Sequence, residues 1–434
     1  MNKRVLLILT EFPPSIGGMQ THAILLSRHL HAMGYEVDVF TYRSADNPDD
    51  VQRVDKSFPF PIHRPLSRVG YFYNLETLLD FIAKNKPDLI YSSTVFYGIL
   101  EKLTGIKTIC RSVGNDIMRP WIAYPFKTGS QVASNAWLER KLYDFFKNID
   151  KPEMVEIIFR EQRLLLTIKA AKASSKILAN SEFTRRILLD VGVPAKNIEV
   201  VVGGVDAGYF KRPAFQNVRD LRQELGLPPD RKILMTACRL VDKKGVDFLI
   251  TSLAASNPAV SNYHLVIVGK GHRMSRLRKL AYSMGVDEYV SFVGAVPYEQ
   301  MPPFYWASDV FVLASTVFRD PVTGLADAET MGRVLCEANA AGTPIVATES
   351  GGIPSVITHE HNGLLFPEND VASFLSSLKR VFDDAELRHD LSRNGVKRAR
   401  SQFDWSHILW THERVFAMDD ILTAPMQAAA APHP

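Results

Sequence analysis

Several common classes are excluded by what this sequence lacks. Only Cys110, Cys238 and Cys336 occur among 434 residues, far apart and odd in number. That excludes a disulfide framework and a paired-cysteine zinc site, and a reducing cytoplasm fits best. No stretch approaches the roughly 20 apolar residues needed to span a bilayer, so any membrane contact is expected to be peripheral. The apolar run Val5 to Leu9 is too short for a secretory-signal core. No GxxxxGK[ST] segment is present, which removes the P-loop class. Gly269-Lys270-Gly271 stands where a dinucleotide fingerprint would begin, but Met274 holds the third glycine position and no strand with an acidic end follows. His22, His359 and His361 have no metal-ligand spacing with cysteine or acidic partners and read as surface or supporting residues. A net charge of +4 is too small to argue for nucleic acid.

What is present describes a globular α/β chain. Hydrophobic residues make up 46% and charged residues 23%, and the length suggests two domains of about 200 residues each. Val5 to Leu9 reads as a buried parallel strand, followed by a Pro/Gly-rich loop and a helix whose Ala23, Leu26, Leu30 and Met33 recur at helical spacing until Gly34. Strand Val37 to Phe40 completes a βαβ unit. Further strands are predicted at Leu89 to Tyr91, Thr108 to Cys110, Ile177 to Ala179 and Ile198 to Val202. The alternation breaks near Gly203-Gly204-Val205-Asp206, and Phe210 to Arg231 reads as a linker. It resumes at Lys232 to Thr236, Leu265 to Val268, Val290 to Phe292, Val310 to Leu313, Ile345 to Ala347 and Leu364 to Phe366. This layout implies two successive Rossmann-like sheets. Ala385 to Phe416 has helical spacing, and Ala428 to Pro434 is a low-complexity tail. Residues 118 to 160 break the pattern, and Trp121, Tyr124, Phe126, Lys127 and Trp137 there could be core, acceptor-lining or membrane-facing.

Three places could carry chemistry. Gly17-Gly18 lies between a strand end and a helix start, where backbone N–H groups and the helix dipole can hold an anion, although a glycine pair is also an ordinary turn. Just past the first strand of the second half, Arg239 and Lys244 are five residues apart across a turn. They could converge on one diphosphate, Arg as a fork and Lys as a point charge, or be surface charge. Glu329 and Glu337, eight apart, would lie about 80° from each other on a continuous helix. If Glu329 instead precedes the helix, with Gly332 easing the turn, the two carboxylates can serve opposite ends of one ligand.

In order, Arg239 with Lys244-Gly245, Val268-Gly269-Lys270-Gly271, Phe292-Val293-Gly294, Glu329 with Glu337-Ala338, Gly342-Thr343-Pro344 and Gly351-Gly352-Ile353-Pro354 resemble the second domain of the retaining glycosyltransferases of family 4. Gly17-Gly18, Asn180-Ser181 and Gly204-Val205-Asp206 are similar to its first domain. The resemblance covers residues 1 to about 417 and implies the GT-B fold, two Rossmann-like domains facing across a cleft. It implies an acceptor domain over 1–207, a nucleotide-sugar domain over 208–400, a helix over 401–420 returning to the first domain, and a flexible tail over 421–434.

The implied activity is transfer of a sugar from a nucleotide-diphosphate sugar, UDP-linked by expectation, to a hydroxyl of a glycan, lipid-linked glycan or small natural product. Neither metal nor separate cofactor is expected, since Arg239 and Lys244 would neutralise the leaving diphosphate. Glu337 would accept from the ribose, Glu329 would face the sugar hydroxyls, and the Met331-Gly332 amides would hold sugar and phosphate. The backbone at Val293 would read the base. Gly17, Gly18 and Gly269 join the donor site, while Asp116 and His22 are candidate acceptor or sugar contacts. Where many members carry His-Gly-x-Asp, this chain has Val113-Gly114-Asn115-Asp116; Gly203 and Thr330 also depart from the common pattern, and the segment from Ser315 to Glu329 is long. A sugar-nucleotide 2-epimerase and a non-catalytic sugar-nucleotide-binding protein are the alternatives. Oligomeric state is not legible.

Overall fold

The computed structural model describes residues 3–14, 17–44, 46–67, 71–118, 164–214, 217–319 and 326–423. The aromatics of the 118–160 stretch and the tail beyond 423 therefore lie outside the described residues.

The first sheet contains β1 (Arg4–Ile8), β2 (Glu36–Tyr42), β3 (Ile62–Leu66), β4 (Leu89–Ser92), β5 (Thr108–Ser112), β6 (Lys176–Ala179) and β7 (Ile198–Val200), all parallel in the order β3-β2-β1-β4-β5-β6-β7. Alternate side chains of β1 enter different cores, Leu6 and Ile8 on one face, Val5, Leu7 and Leu9 on the other. Burial on both faces is why the strand is apolar throughout rather than alternating. β3 was not anticipated, because its sequence IHRPL contains Pro65 and little apolar pattern. It is an edge strand with a register shift beside that proline, the place where a missing N–H costs least.

The second sheet contains β8 (Lys232–Ala237), β9 (Tyr263–Val268), β10 (Val290–Gly294) and β11 (Val310–Leu313). A small antiparallel pair, β12 (Phe318–Arg319) and β13 (Ala326–Asp327), stands apart from it. β14 (Ile345–Thr348) and β15 (Leu364–Phe366) complete the sheet in the parallel order β10-β9-β8-β11-β14-β15. Two apolar clusters cover its two faces.

Two expectations about the connections are corrected. The stretch expected as linker, Phe210 to Arg231, holds a helix at Val218–Glu224, with Leu221 and Leu227 in the second core. Arg222 is buried there, its guanidinium donating to the Ala307 carbonyl at 2.8 Å and pairing with Asp309 at 2.8 Å. Its charged appearance in sequence hides an inward-pointing, paired arginine. The helical spacing from Ala385 to Phe416 is interrupted by a widened turn at Ala399–Phe403. At the break Asp404 forms a parallel bridge with Val205, so the two chain crossings between the halves run side by side.

Three helices bear on the cleft: α1 (Gly18–Ala32), α2 (Arg333–Ala341) and α3 (Trp405–Thr423). α3 packs on α1, and its Val415 and Phe416 enter the core of the first sheet. Among the described residues no helix is long and apolar enough to cross a membrane.

Candidate active site

Arg239 sits on the loop that leaves β8 at its C-terminal end. That loop stacks on the loop leaving β9, with Cys238 N–H donating to the Val268 carbonyl and Leu240 N–H to the Lys270 carbonyl, each at 3.0 Å. A Cβ at Gly269 would lie 1.9 Å from the Cys238 carbonyl oxygen, so glycine there lets the two backbones meet. The Arg239 side chain has no hydrogen bond or ion pair among the described residues.

Of the two adjacent lysines, Lys243 is buried. It pairs with Asp327 at 2.7 Å and donates to the Ala328 carbonyl at 3.1 Å, fixing the approach to Glu329. Lys244 instead points to the site and pairs with the carboxylate of Glu329. Glu329 precedes α2 and does not belong to it; Gly332 begins the helix in the left-handed conformation (φ 85°). The 80° continuous-helix geometry therefore does not apply, and the loop alternative does. Burial disfavours the Glu329 carboxylate, but the charge and hydrogen bond of Lys244, helped by Lys243 and the Met331 N–H, outweigh it and hold its pKa below the ordinary value. Lys244 and the Met331 amide thus both serve an anion, Glu329's own.

Glu337 is buried inside α2. One oxygen accepts from the Tyr305 hydroxyl at 2.7 Å, and the other pairs with Arg333 at 3.3 Å one turn back. Burial raises its pKa despite both partners. Val293 lies at a register shift of the edge strand β10, between Phe292 and Gly294, where it has no ladder partner.

The two halves touch directly around these groups. Asn180 at the end of β6 donates to the Thr330 hydroxyl at 3.2 Å, Glu182 N–H donates to Ser355 at 3.0 Å, and Gly203 N–H approaches the Met331 sulfur at 3.4 Å. Arg333 reaches across to α1: a Cβ at Gly18 would lie 2.6 Å from its Nη1. Gly17 precedes α1 in extended conformation with no side-chain cap.

Asp116 and His22, the candidate acceptor or sugar contacts, are both buried. One Asp116 oxygen accepts from Ser112 at 2.7 Å and the other from Val95 N–H at 3.2 Å, so the carboxylate stitches two loops together in the interior. His22 is 1% exposed, with Nε2 3.0 Å from the Tyr91 hydroxyl, which lies 3.3 Å from His412 on α3. Burial, with the charge of Arg111 and His412 nearby, pushes its pKa well below the ordinary value. α3 returns from far along the chain to cover it, and no local pattern around His22 could show that.

Residues 217–398 match the family model for glycosyl transferases group 1, and residues 16–150 match that for glycosyltransferase family 4. The chain belongs to the family 4 glycosyltransferases.

A GDP-mannose-dependent alpha-(1-6)-phosphatidylinositol monomannoside mannosyltransferase of Mycobacterium tuberculosis is 32% identical over 226 residues, 52% of this chain and 57% of that relative. The match thus spans little more than half of the relative's length. Mannosylfructose-phosphate synthase of Agrobacterium fabrum is 26% identical over 90% of this chain and 84% of its own. Among solved structures, Anabaena Alr3699/HepE in complex with UDP has a TM-score of 0.70 at 18% identity, covering 96% of this chain and 100% of that one. That likeness is one of fold: two Rossmann-like domains facing across a cleft, the GT-B architecture.

In this family 4 chain the local sequence pattern does not show the roles of Lys243 and Tyr305. Lys243 and Lys244 are adjacent and alike in sequence, and which one turns inward depends on the turn at Asp242–Lys244. Arg333 carries a local signal, since it stands four residues before Glu337 on one helix face. Tyr305 carries none.

Proposed function

We propose that this glycosyltransferase moves a sugar from a nucleotide-diphosphate sugar to a hydroxyl acceptor with retention of anomeric configuration and without a metal ion. The observation that carries this reading is the Lys244–Glu329 pair at the mouth of the second sheet, with Arg239 unpaired beside it among the described residues. A diphosphate arriving there competes with Glu329 for Lys244 and takes Arg239 as a second cation. As the bond from sugar to phosphate lengthens, negative charge grows on the leaving oxygen, and the two cations gain in value at that moment. Glu329, released from Lys244, turns its oxygens to the sugar hydroxyls. The ribose meets Glu337, whose oxygens keep one lone pair each beyond Tyr305 and Arg333. The base lies along the backbone at Val293, at the register shift of β10.

The solved neighbour in complex with UDP and the GDP-mannose-dependent relative both support a nucleoside-diphosphate donor and divide on the base. Thermal-shift screening of UDP- and GDP-sugars, followed by NMR of the product formed with candidate acceptors, tests the reading. A new glycosidic bond with the donor's anomeric configuration is expected. An inverted product, or a 2-epimerised nucleotide sugar formed without acceptor, overturns it.

A further inference from the structure

Two guanidinium groups, one from each half of the molecule, meet at the first turn of α1. Arg111 leaves the C-terminal end of β5, and its Nη1 lies 3.3 Å from the sulfur of Met19. Arg333 comes from α2 and fills the space beside Gly18. Gly18 and Met19 are the first two residues of a 15-residue helix whose first turn carries no acidic residue and no side-chain cap, so its leading N–H groups add positive character to the same place.

The negative groups nearby do not balance this. Glu337 answers Arg333. Asp116 is spent on Ser112 and Val95, and burial raises its pKa, which weakens it as a counter-ion for Arg111. Glu11, on the loop before α1, takes a hydrogen bond from Gln20 at 3.0 Å. Arg111 therefore has a sulfur contact and no carboxylate partner among the described residues, and burial, partly offset by Tyr91 and Asp116 and reinforced by Arg333, lowers its pKa. Arg111 is partly withdrawn from water, and such an arginine without a counter-charge is costly unless an anion completes it. Parallel α/β sheets bind ligands at the C-terminal ends of their strands, where Arg111 emerges.

Resting on the glycosyltransferase reading, we propose that Arg111, with Arg333 and the first turn of α1, binds an anionic group, phosphate by preference, carried by the acceptor. The donor's diphosphate has its own cations, Arg239 and Lys244, on the second domain, so Gly18, expected by resemblance in the donor site, is assigned here to the acceptor's anion instead. The acceptor is consequently a phosphorylated sugar, polyol or lipid headgroup rather than a neutral glycan.

The test uses the full chain and inorganic phosphate as probe. Calorimetric titration is done with UDP or GDP saturating, so that the donor's diphosphate position is filled, on wild type, Arg111→Gln and Arg111→Lys. Phosphate binding should weaken by about tenfold or more in Arg111→Gln and much less in Arg111→Lys, the scale of one charge-assisted hydrogen bond. Nucleotide affinity without phosphate should stay within about twofold of wild type. Unchanged phosphate binding in Arg111→Gln overturns the proposal, and so does a comparable loss of nucleotide affinity, which would assign Arg111 to the donor. Arg111→Lys, with circular dichroism for both variants, guards against a folding defect: equal loss in Gln and Lys variants that are both misfolded makes Arg111 structural and also overturns it. If neither UDP nor GDP binds wild type while Arg111-dependent phosphate binding persists, the donor reading fails and the anion site stands.

Discussion

The ammonium of Lys244 and the carboxylate of Glu329 form an ion pair across 85 residues of sequence, at the mouth of the second sheet. Each holds the other in the place where the donor is proposed to bind, so both catalysis and pH stability are expected to register this pair.

Replacing Lys244 or Arg239 by alanine should lower turnover by at least about a hundredfold, on the scale of removing one charge-stabilising donor. Steady-state kinetics with the donor found by screening would decide it. Near-normal turnover in either variant would remove that residue from the proposed role.

The pH dependence of stability has its origin in the same pair. The Glu329 pKa is lowered in the folded protein, so it contributes stability that is complete above the ordinary carboxylate value and is lost as pH falls through the lowered one. In Lys244→Ala burial is left unopposed by its main partner, and this part of the acid dependence should reverse in sign. Melting temperature against pH, wild type against variant, measures it; parallel curves would show that the pair does not control the ionisation of Glu329.

Tyr305→Phe should cost about 1–3 kcal/mol, because it leaves a buried Glu337 oxygen without its donor. Glu337→Gln keeps an acceptor for Tyr305, and its expected signature is a raised KM for the nucleotide sugar with the fold retained. Denaturant melts and donor kinetics separate the two effects. A Glu337→Gln enzyme with wild-type KM would take the ribose away from this residue.

Gly203→Ala should destabilise the protein by about 1–3 kcal/mol. Gly203 has φ 133°, and a Cβ there would lie 2.6 Å from the Cα of Phe403, on the neighbouring crossing between the domains. An unchanged melting temperature would show that the crossing relaxes freely.

Activity should survive excess chelator, because two side-chain cations are proposed to take the place of a metal at the diphosphate. A strict divalent-ion requirement, restored by adding the ion back, would contradict that assignment.

Much of the scaffold was legible from local pattern. Doubly buried parallel strands such as Val310–Leu313 and Leu364–Phe366 are apolar runs whose ends coincide with the structure. β3 escaped because an edge strand tolerates a proline and needs little apolar surface. The charge of Arg222 pointed to a linker, whereas its burial depends on the Ala307 carbonyl, 85 residues away, and on the Asp309 carboxylate.

The ordered motifs of the second half, with the placement of glycines between strand and helix, were determined by the sequence itself. They depend on spacing and on backbone freedom, which are written locally. Tertiary structure alone decided which groups share a neighbourhood: that Glu329 meets Lys244, that Tyr305 holds Glu337, that α3 seals His22 beneath it, and that Arg111 and Arg333 arrive together at α1. Each of these rests on long-range closure of the two sheets and on the burial of charge it brings about, and neither is encoded in any short stretch of chain.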